Sequence, residues 1–277
     1  MTVKVVTDST ADIPVEVAQE LGITIVPLYI HFGQKVYQDG VDITADEFYQ
    51  RLITEPELPK TSAPSSGAFS EAYYRLATET NEIISIHIST KLSATYNSAL
   101  VGQRPIDTDC QIKIIDSLST TIGLGLIVIT AAKAALAGAN LQEVTELITQ
   151  TISNTHLFAT VDTLEYLQKG GRIGKAQALL GSVLNIKPLI TIQDGEVYPL
   201  ERVRGRSKAI TRLFELASNF KKPKEIALAH TTTPDELQTL ATRLSSDFPD
   251  RQIYRSRTGS TIGTYLGPGG LTVAIVE

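Results

Sequence analysis

The chain has 277 residues, of which 42% are hydrophobic and 20% are charged, and its formal net charge is −5. This composition is typical of a globular protein with one large or two medium domains, and it excludes long disordered regions and a nucleic-acid-binding basic surface. Cys110 is the only cysteine, which excludes an internal disulfide and a cysteine-held metal cluster.

The first half of the chain alternates strand and helix patterns. Apolar and β-branched runs predict strands at residues 3–7, 23–31, 82–89 and 111–116. Helices are predicted at residues 12–22 with Asp12 as N-cap, 44–55, 66–80, 93–102 and 122–137, and residues 56–66 are predicted to form a loop. Because helices separate the strands, we expect a parallel sheet with right-handed crossovers.

The second half has a different pattern, which begins after a bridging amphipathic helix at residues 140–154. Strands are predicted at residues 156–161, 186–192, 196–203, 225–230, 251–255 and 271–276. Helices are predicted after Asp162 and at residues 174–184, 207–220 and 234–248. Asp194-Gly195 is a strong hairpin signal, so this sheet is expected to be partly antiparallel. We place the boundary between two domains, 1–155 and 156–277, near residue 155.

The sequence predicts neither export nor membrane insertion. Its first residues lack the apolar stretch of a signal peptide. The longest apolar run begins at Ile122 and meets Lys133, which makes it too short to span a bilayer. We therefore expect a cytoplasmic protein with no integral membrane segment.

The signatures of familiar enzymes are incomplete. Residues 170–176 (GGRIGKA) are one residue short of a phosphate-binding P-loop and lack its Ser/Thr. Residues 205–209 (GRSKA) lack the final glycine of a nucleophile elbow, and Ser207 is better explained as a helix N-cap. The four histidines are scattered without metal-binding spacing. These patterns predict no metal site and no catalytic nucleophile.

Four loops are rich in serine and threonine: residues 8–10, 61–66, 89–93 and 116–121. Three of them follow strands directly, and ligands of open parallel sheets bind beyond the carboxyl ends of the strands. Hydroxyls combined with helix N-terminal N–H groups suit an anion such as a carboxylate or a phosphate. Helix capping explains any single hydroxyl, but it needs one per helix and these loops supply several, which favours a binding site.

Seven short motifs occur in order along the whole chain: residues 3–14 (VKVVTDSTADIP), 61–65 (TSAPS), 86–99 (IHISTKLSATYNSA), 116–125 (DSLSTTIGLG), 164–173 (LEYLQKGGRI), 184–189 (LNIKPL) and 262–271 (IGTYLGPGGL). Together they resemble the DegV family of bacterial fatty-acid-binding proteins. The resemblance implies an α/β fold of two domains, the N-terminal one a three-layer α/β/α domain with a mainly parallel sheet. The C-terminal α/β domain would have a mixed sheet.

The resemblance also implies a function. A long-chain fatty acid such as palmitate, stearate or oleate would lie in a buried tunnel between the domains, with no other cofactor. Its carboxylate would be presented to the ATP-binding subunit of a fatty acid kinase. The chain itself would then be a monomeric lipid carrier and not an enzyme.

The same resemblance assigns roles to residues. Thr61 and Ser93 would hydrogen-bond the carboxylate, and Arg172 would lie near it from the other domain. Tyr265 stands where the family usually has histidine, and its hydroxyl can still donate a hydrogen bond.

Further residues complete this assignment. Asp8 and Ser9 would line the same crevice, whereas Arg202 and Arg204 fall in the stretch used near the kinase. From their apolar character, the candidates for the tunnel wall are residues 122–137 together with Leu179, Leu180, Val183, Leu184 and Ile186, and ordinary core packing is the alternative explanation for each of them.

Two alternatives stay open. The chain could carry another amphiphilic acid without a kinase. It could also be a substrate-binding subunit similar to that of dihydroxyacetone kinase, in which a histidine holds the sugar covalently, and His230 is the only candidate for that role.

Overall fold

The computed structural model describes residues 2–106, 109–181 and 185–277. The strands are β1 (Lys4–Asp8), β2 (Thr24–Val26), β3 (Tyr29–Phe32), β4 (Lys35–Gln38), β5 (Lys60–Ser62), β6 (Glu82–His87), β7 (Gln111–Asp116), β8 (Thr155–Thr160), β9 (Ile186–Gln193), β10 (Glu196–Arg204), β11 (Glu225–His230), β12 (Ile253–Arg257) and β13 (Leu271–Val276). The α-helices are α1 (Val15–Glu20), α2 (Ala45–Thr54), α3 (Ser66–Ala77), α4 (Thr95–Gly102), α5 (Thr121–Leu136), α6 (Leu141–Ser153), α7 (Glu165–Lys169), α8 (Arg206–Ser218), α9 (Pro234–Asp247) and α10 (Ser260–Leu266).

The first sheet is parallel, with strand order β2-β1-β6-β7. Successive side chains of a strand point to opposite faces. Val5 and Ile84 therefore pack on the side of α5, whereas Val6 and Ile83 pack on the side of α3 and α4. Helices cover both faces, which confirms the predicted three-layer arrangement.

The second sheet is mixed, with order β10-β9-β8-β13-β11-β12, in which only β11 and β12 pair in parallel. The hairpin between β9 and β10 turns at Asp194 (φ 49°) and Gly195 (φ 78°), the left-handed conformations that this turn requires. Helices α8 and α9 cover one face of this sheet. The mixed sheet and its hairpin are thus as predicted.

Helix α5 lies between the two sheets and contacts β1 and β6 on one side and β8, β11 and β13 on the other. A helix that is apolar on every side is expected to be buried in this way. Gly125 allows α5 to pack closely against the backbone at Ala11, because a Cβ at position 125 would lie 2.5 Å from the Ala11 carbonyl oxygen. Among the described residues, no helix combines the length and the apolar character that crossing a membrane requires.

Some strand predictions were wrong. Residues 23–31 form two strands, β2 and β3, which belong to different sheets. The break falls at Pro27, which lacks the N–H that a continuous ladder needs. Strand β3 pairs with β4 and β5 in a three-stranded antiparallel sheet that was not predicted, and β5 lies inside the predicted loop 56–66.

Several helix predictions were also wrong. Asp12 does not cap α1, whose N-cap is Pro14, and Ser93 precedes the N-cap of α4. Helix α8 begins at Arg206 with Gly205 as its N-cap, so Ser207 lies inside the helix and does not cap it. Residues 174–184 were expected to be helical, but Gly174–Leu179 is a 3-10 helix and residues 182–184 lie outside the described residues. Helix α10 was not predicted.

Candidate ligand-binding site

A cavity opens where α10 and strands β8, β9 and β10 face β5 and the loops after β6 and β7. It contains about 910 Å³ of empty space, its open mouth included. Its apolar wall is formed by Leu28, Ile88, Leu92, Leu157, Ala159, Leu167, Ile190, Ile192, Val197, Ile262 and Leu266.

The predicted wall was wrong. The lining includes Thr121 at the start of α5 but no residue from 122 to 137, and it includes neither Leu179, Leu180 nor Ile186. Helix α5 is core because both sheets pack against it, and the hairpin β9–β10 supplies much of the wall instead. Residues 183 and 184 lie outside the described part of the chain.

One end of the cavity is polar. The Thr61 Oγ1 and Tyr265 hydroxyl oxygens are 2.6 Å apart, and the guanidinium carbon of Arg172 lies 5.1 Å from the centre of the Tyr265 ring. Arg172 donates from Nη1 to the Gly170 carbonyl (2.8 Å) and from Nε to the Leu92 carbonyl (3.2 Å). These two bonds fix the guanidinium, and its Nη2 makes no hydrogen bond within the described part of the chain.

Ser93 belongs to the same lining. Its Oγ lies 2.8 Å from Thr95 Oγ1 and accepts from the Thr95 N–H at 3.3 Å. The structure thus brings Thr61, Ser93, Arg172 and Tyr265, all half-buried, to one cavity. The contacts of these four residues with a ligand stay predictions. We call these four residues the cavity end.

Gly170 makes room for the Tyr265 ring. A Cβ at position 170 would lie 2.6 Å from Tyr265 Cε1, so only glycine allows the ring to pack there. The glycine pair that resembled part of a P-loop therefore serves ring packing and a chain reversal, with Gly171 at φ 71°.

Two carboxylates from the first half of the chain hold the start of α10. The Gly259 N–H donates to Asp12 Oδ1 at 2.8 Å, and the Ser260 and Thr261 N–H groups donate to Asp39 Oδ1 and Oδ2 at 2.9 and 3.1 Å. This anchoring fixes the helix that carries Tyr265. Burial raises the pKa of Asp12 to about 8.

Asp8 and Ser9 do not lie in the cavity lining. Ser9 Oγ donates to Asp39 Oδ2 (3.1 Å) and accepts from the Leu28 N–H (3.1 Å). Asp8 is fully buried and accepts from His87 Nδ1 at 2.9 Å and from the Ile88 N–H at 3.2 Å. These hydrogen bonds hold both side chains to other parts of the protein. The cavity lining does not support their predicted contact with a ligand.

Asp8 ends a hydrogen-bonded row that we call the buried chain. It runs from the Tyr73 hydroxyl to Ser85 Oγ (2.8 Å), on to His87 Nε2 (2.7 Å), and from His87 Nδ1 to Asp8. Ser, His and Asp stand in the order of a hydrolase triad. All four residues are fully buried and none lines the cavity, so a substrate has no access to Ser85.

Sequence reasoning singled out neither Thr120 nor Thr261, two of the hydroxyl-bearing residues in the lining. Thr120 lies in the hydroxyl-rich loop 116–121, which was a usable signal. Thr261 immediately precedes the last motif, and only the unpredicted helix α10 places it in the cavity.

The two predicted partner-binding arginines differ. Arg202 donates to the carbonyls of Ala178, Leu179 and Leu180 at 2.9, 3.2 and 3.0 Å, and so closes the end of a 3-10 helix. Arg204 is exposed and makes no hydrogen bond or ion pair among the described residues.

His230 lies outside the cavity lining. Its Nδ1 accepts from the Thr233 N–H at 3.1 Å, and burial lowers the pKa of its imidazole. Across residues 2–106, 109–181 and 185–277, no group of three or more His, Cys, Asp or Glu side chains could hold a metal ion.

Comparison with known proteins identifies relatives along the whole chain. The family model described as "Uncharacterised protein, DegV family" matches residues 2–277. A DegV domain-containing protein of Caldanaerobacter subterraneus is 35% identical over 278 residues, which cover 99% of each chain.

Two solved structures share the fold. A DegV family protein from Thermus thermophilus, described by its fatty acid binding, superposes with a TM-score of 0.92 at 30% identity, with 100% of both chains covered. DegV of Bacillus subtilis, described as a fatty acid binding protein, superposes with a TM-score of 0.90 at 31% identity, also over 100% of both chains. Sequence, family model and fold agree: the chain belongs to the DegV family.

Proposed function

We propose that this protein binds a long-chain fatty acid in the cavity, with the carboxylate at the cavity end. The observation that carries the proposal is the division of one cavity into a long apolar wall and a cluster of hydroxyls beside a guanidinium. Burial of about 15 methylene groups at about 0.8 kcal/mol each contributes roughly 12 kcal/mol before the costs of association. Two structural relatives are themselves described as binding fatty acids.

The carboxylate needs charge-assisted donors, because an unpaired charge is costly away from water. Thr61 and Ser93 offer hydroxyls, and Arg172 offers the N–H groups of its free Nη2. A ligand held in this way is sequestered by its tail and oriented by its acid group.

Extraction of the purified protein with organic solvent, followed by mass spectrometry, tests the proposal. We expect a fatty acid in stoichiometric amount. Ala159→Phe, which fills the cavity, should carry much less lipid. Phe158→Leu is the matched control, since the neighbouring side chain packs on the opposite face of the sheet. An extract without fatty acid, together with no binding of added stearate, contradicts the proposal. Recovery of another amphiphilic acid would favour that alternative instead.

We further propose that the protein is a monomeric cytoplasmic carrier which presents the carboxylate to the ATP-binding subunit of a fatty acid kinase. The cavity end is half-buried, which keeps the acid group near the surface, and the exposed Arg204 offers a cationic contact for a partner. The chain then needs no nucleophile of its own.

The partner surface is tested by charge reversal. Arg204→Glu should leave stearate binding unchanged and lower the kinase turnover. Lys222→Glu, at another exposed cation, is the matched control and should alter neither quantity. Equal kinase turnover in both variants would remove Arg204 from the partner surface.

A further inference from the structure

Two hydroxyls of the cavity differ from all its others. Thr120 Oγ1 and Thr261 Oγ1 have no hydrogen-bond partner within the described part of the chain, although the residues are only 8% and 3% exposed. The other hydroxyls of the lining are all bonded to protein atoms; they belong to Thr61, Ser62, Ser93, Thr121, Thr191, Tyr265 and Thr272. Buried polar groups without a partner are rare in native proteins, and each calls for an explanation.

The position of Thr261 places this pair relative to the cavity end. Thr261 and Tyr265 are four residues apart on α10, so they share one face of the helix and are separated by about 6 Å along its axis. Tyr265 is half-buried and Thr261 is almost fully buried. Thr261 is therefore more buried than Tyr265 and lies about 6 Å from it along the helix, a distance that a few carbons of a bound chain would span.

Thr120 adds a second favourable element. It is the N-cap of the 16-residue helix α5, yet its side chain makes no capping hydrogen bond, and the first turn holds no acidic residue. The N-terminus of such a helix carries a partial positive charge and favours an oxygen acceptor. Hydroxyls can also rotate to donate or accept as a ligand requires.

We infer that Thr120 and Thr261 form a second polar subsite, which binds a hydroxyl or oxo oxygen carried by the acyl chain near its carboxylate. This inference rests on the proposed function, because it assumes that the acid group lies at the cavity end. It assigns the protein a preference for chain-oxygenated fatty acids over acids whose chain is purely aliphatic near the head.

Calorimetric titration of delipidated protein with stearate and with a series of hydroxystearates tests the inference. The series varies the position of the hydroxyl along the chain. An isomer with the hydroxyl near the carboxylate should bind the wild type more tightly than stearate does, whereas distal isomers should bind more weakly than stearate. In the variant with Thr120→Val and Thr261→Val, the proximal isomer should lose about tenfold in affinity relative to stearate.

Thr191→Val is the matched control. Thr191 also lines the cavity, but its hydroxyl already donates to the Leu157 carbonyl at 2.7 Å, so the affinity ratio of the two ligands should stay at the wild-type value. If the double variant does not fold, the two single variants carry the test.

The possible failures are distinguishable. Stearate binding with the same affinity ratio in wild type and valine variants overturns the subsite and leaves the proposed function intact. No stearate binding to the wild type overturns the proposed function and the subsite with it.

Discussion

The buried chain and the cavity end use similar side chains for opposite purposes. The buried chain joins Tyr73, Ser85, His87 and Asp8 in a row where every member is fully buried and bonded to the next. The cavity end keeps its four residues half-buried around an opening. Exposure, and not residue type, therefore distinguishes the candidate binding site from a structural network in this molecule.

The buried chain should matter for stability and not for ligand affinity. One consistent order of donors has Tyr73 donate to Ser85, Ser85 to His87 Nε2, and His87 Nδ1 to Asp8. Removal of the last acceptor leaves a buried imidazole N–H without a partner. Three substitutions test this difference between the buried chain and the cavity end.

The largest effect is expected from Asp8→Ala, because it leaves the buried N–H groups of His87, Ile88 and Thr10 without their acceptor. We predict a loss of about 3–5 kcal/mol in the free energy of unfolding, measured with denaturant, since each unsatisfied buried donor costs about 1–3 kcal/mol. Asp250→Ala, at an exposed carboxylate, is the control and should change stability little. A loss below about 1 kcal/mol in Asp8→Ala would show that the buried chain is not structural.

The second effect is on ligand affinity and less on stability. Arg172→Gln should weaken stearate binding by about 1.5–3 kcal/mol, roughly tenfold or more, because a charge-assisted bond to the carboxylate is lost. Stability should change less than in Asp8→Ala, since the guanidinium is half-buried. Arg202→Gln serves as the control, because Arg202 lies outside the cavity lining. Equal affinities in the two variants would remove Arg172 from the site.

The third effect, which is the smallest over a single pH unit, concerns Asp12, which links the two halves at the start of α10. Because its pKa is raised from 3.8 to about 8 in the folded protein, the folded state binds more protons than the unfolded state in that interval. Its contribution to the free energy of unfolding therefore falls as the pH rises through that interval, by at most about 1.4 kcal/mol for each pH unit.

Asp12→Asn should remove this dependence and keep the contacts with Gly259 and Thr121. Denaturant unfolding over a series of pH values checks it, with Asp250→Asn as the control. An unchanged pH profile in Asp12→Asn would show that the group does not titrate in this way.

Sequence periodicity was sufficient for the two sheets, because their strands carry long apolar runs and Asp194-Gly195 marks one hairpin. It was insufficient for β4 and β5, which have four and three residues and little apolar character. Helix α10 was not predicted because its sequence is rich in Ser, Thr and Gly. The backbone N–H groups at its start donate to Asp12 and Asp39, which are far away in sequence.

The candidate site was predictable in part. The hydroxyl loops indicated the region of Thr61 and Ser93, because strand ends converge in a parallel sheet. Sequence could not show that Asp8 turns into the interior, since its partner His87 lies 79 positions away. It also assigned the apolar wall to residues 122–137, because an apolar helix can line a cavity or fill a core, and only the second sheet packed on α5 decides between them.

In the proposed function, hydroxyls at the cavity end hold the acid group of a lipid whose tail fills the apolar cavity. Calorimetric titration of delipidated protein with stearate is the decisive experiment, on wild type and on Thr61→Ala and Ser93→Ala. We predict tight binding to the wild type and about tenfold weaker binding to each variant, with the free energy of unfolding nearly unchanged. Equal affinity for stearate in all three proteins would contradict the account.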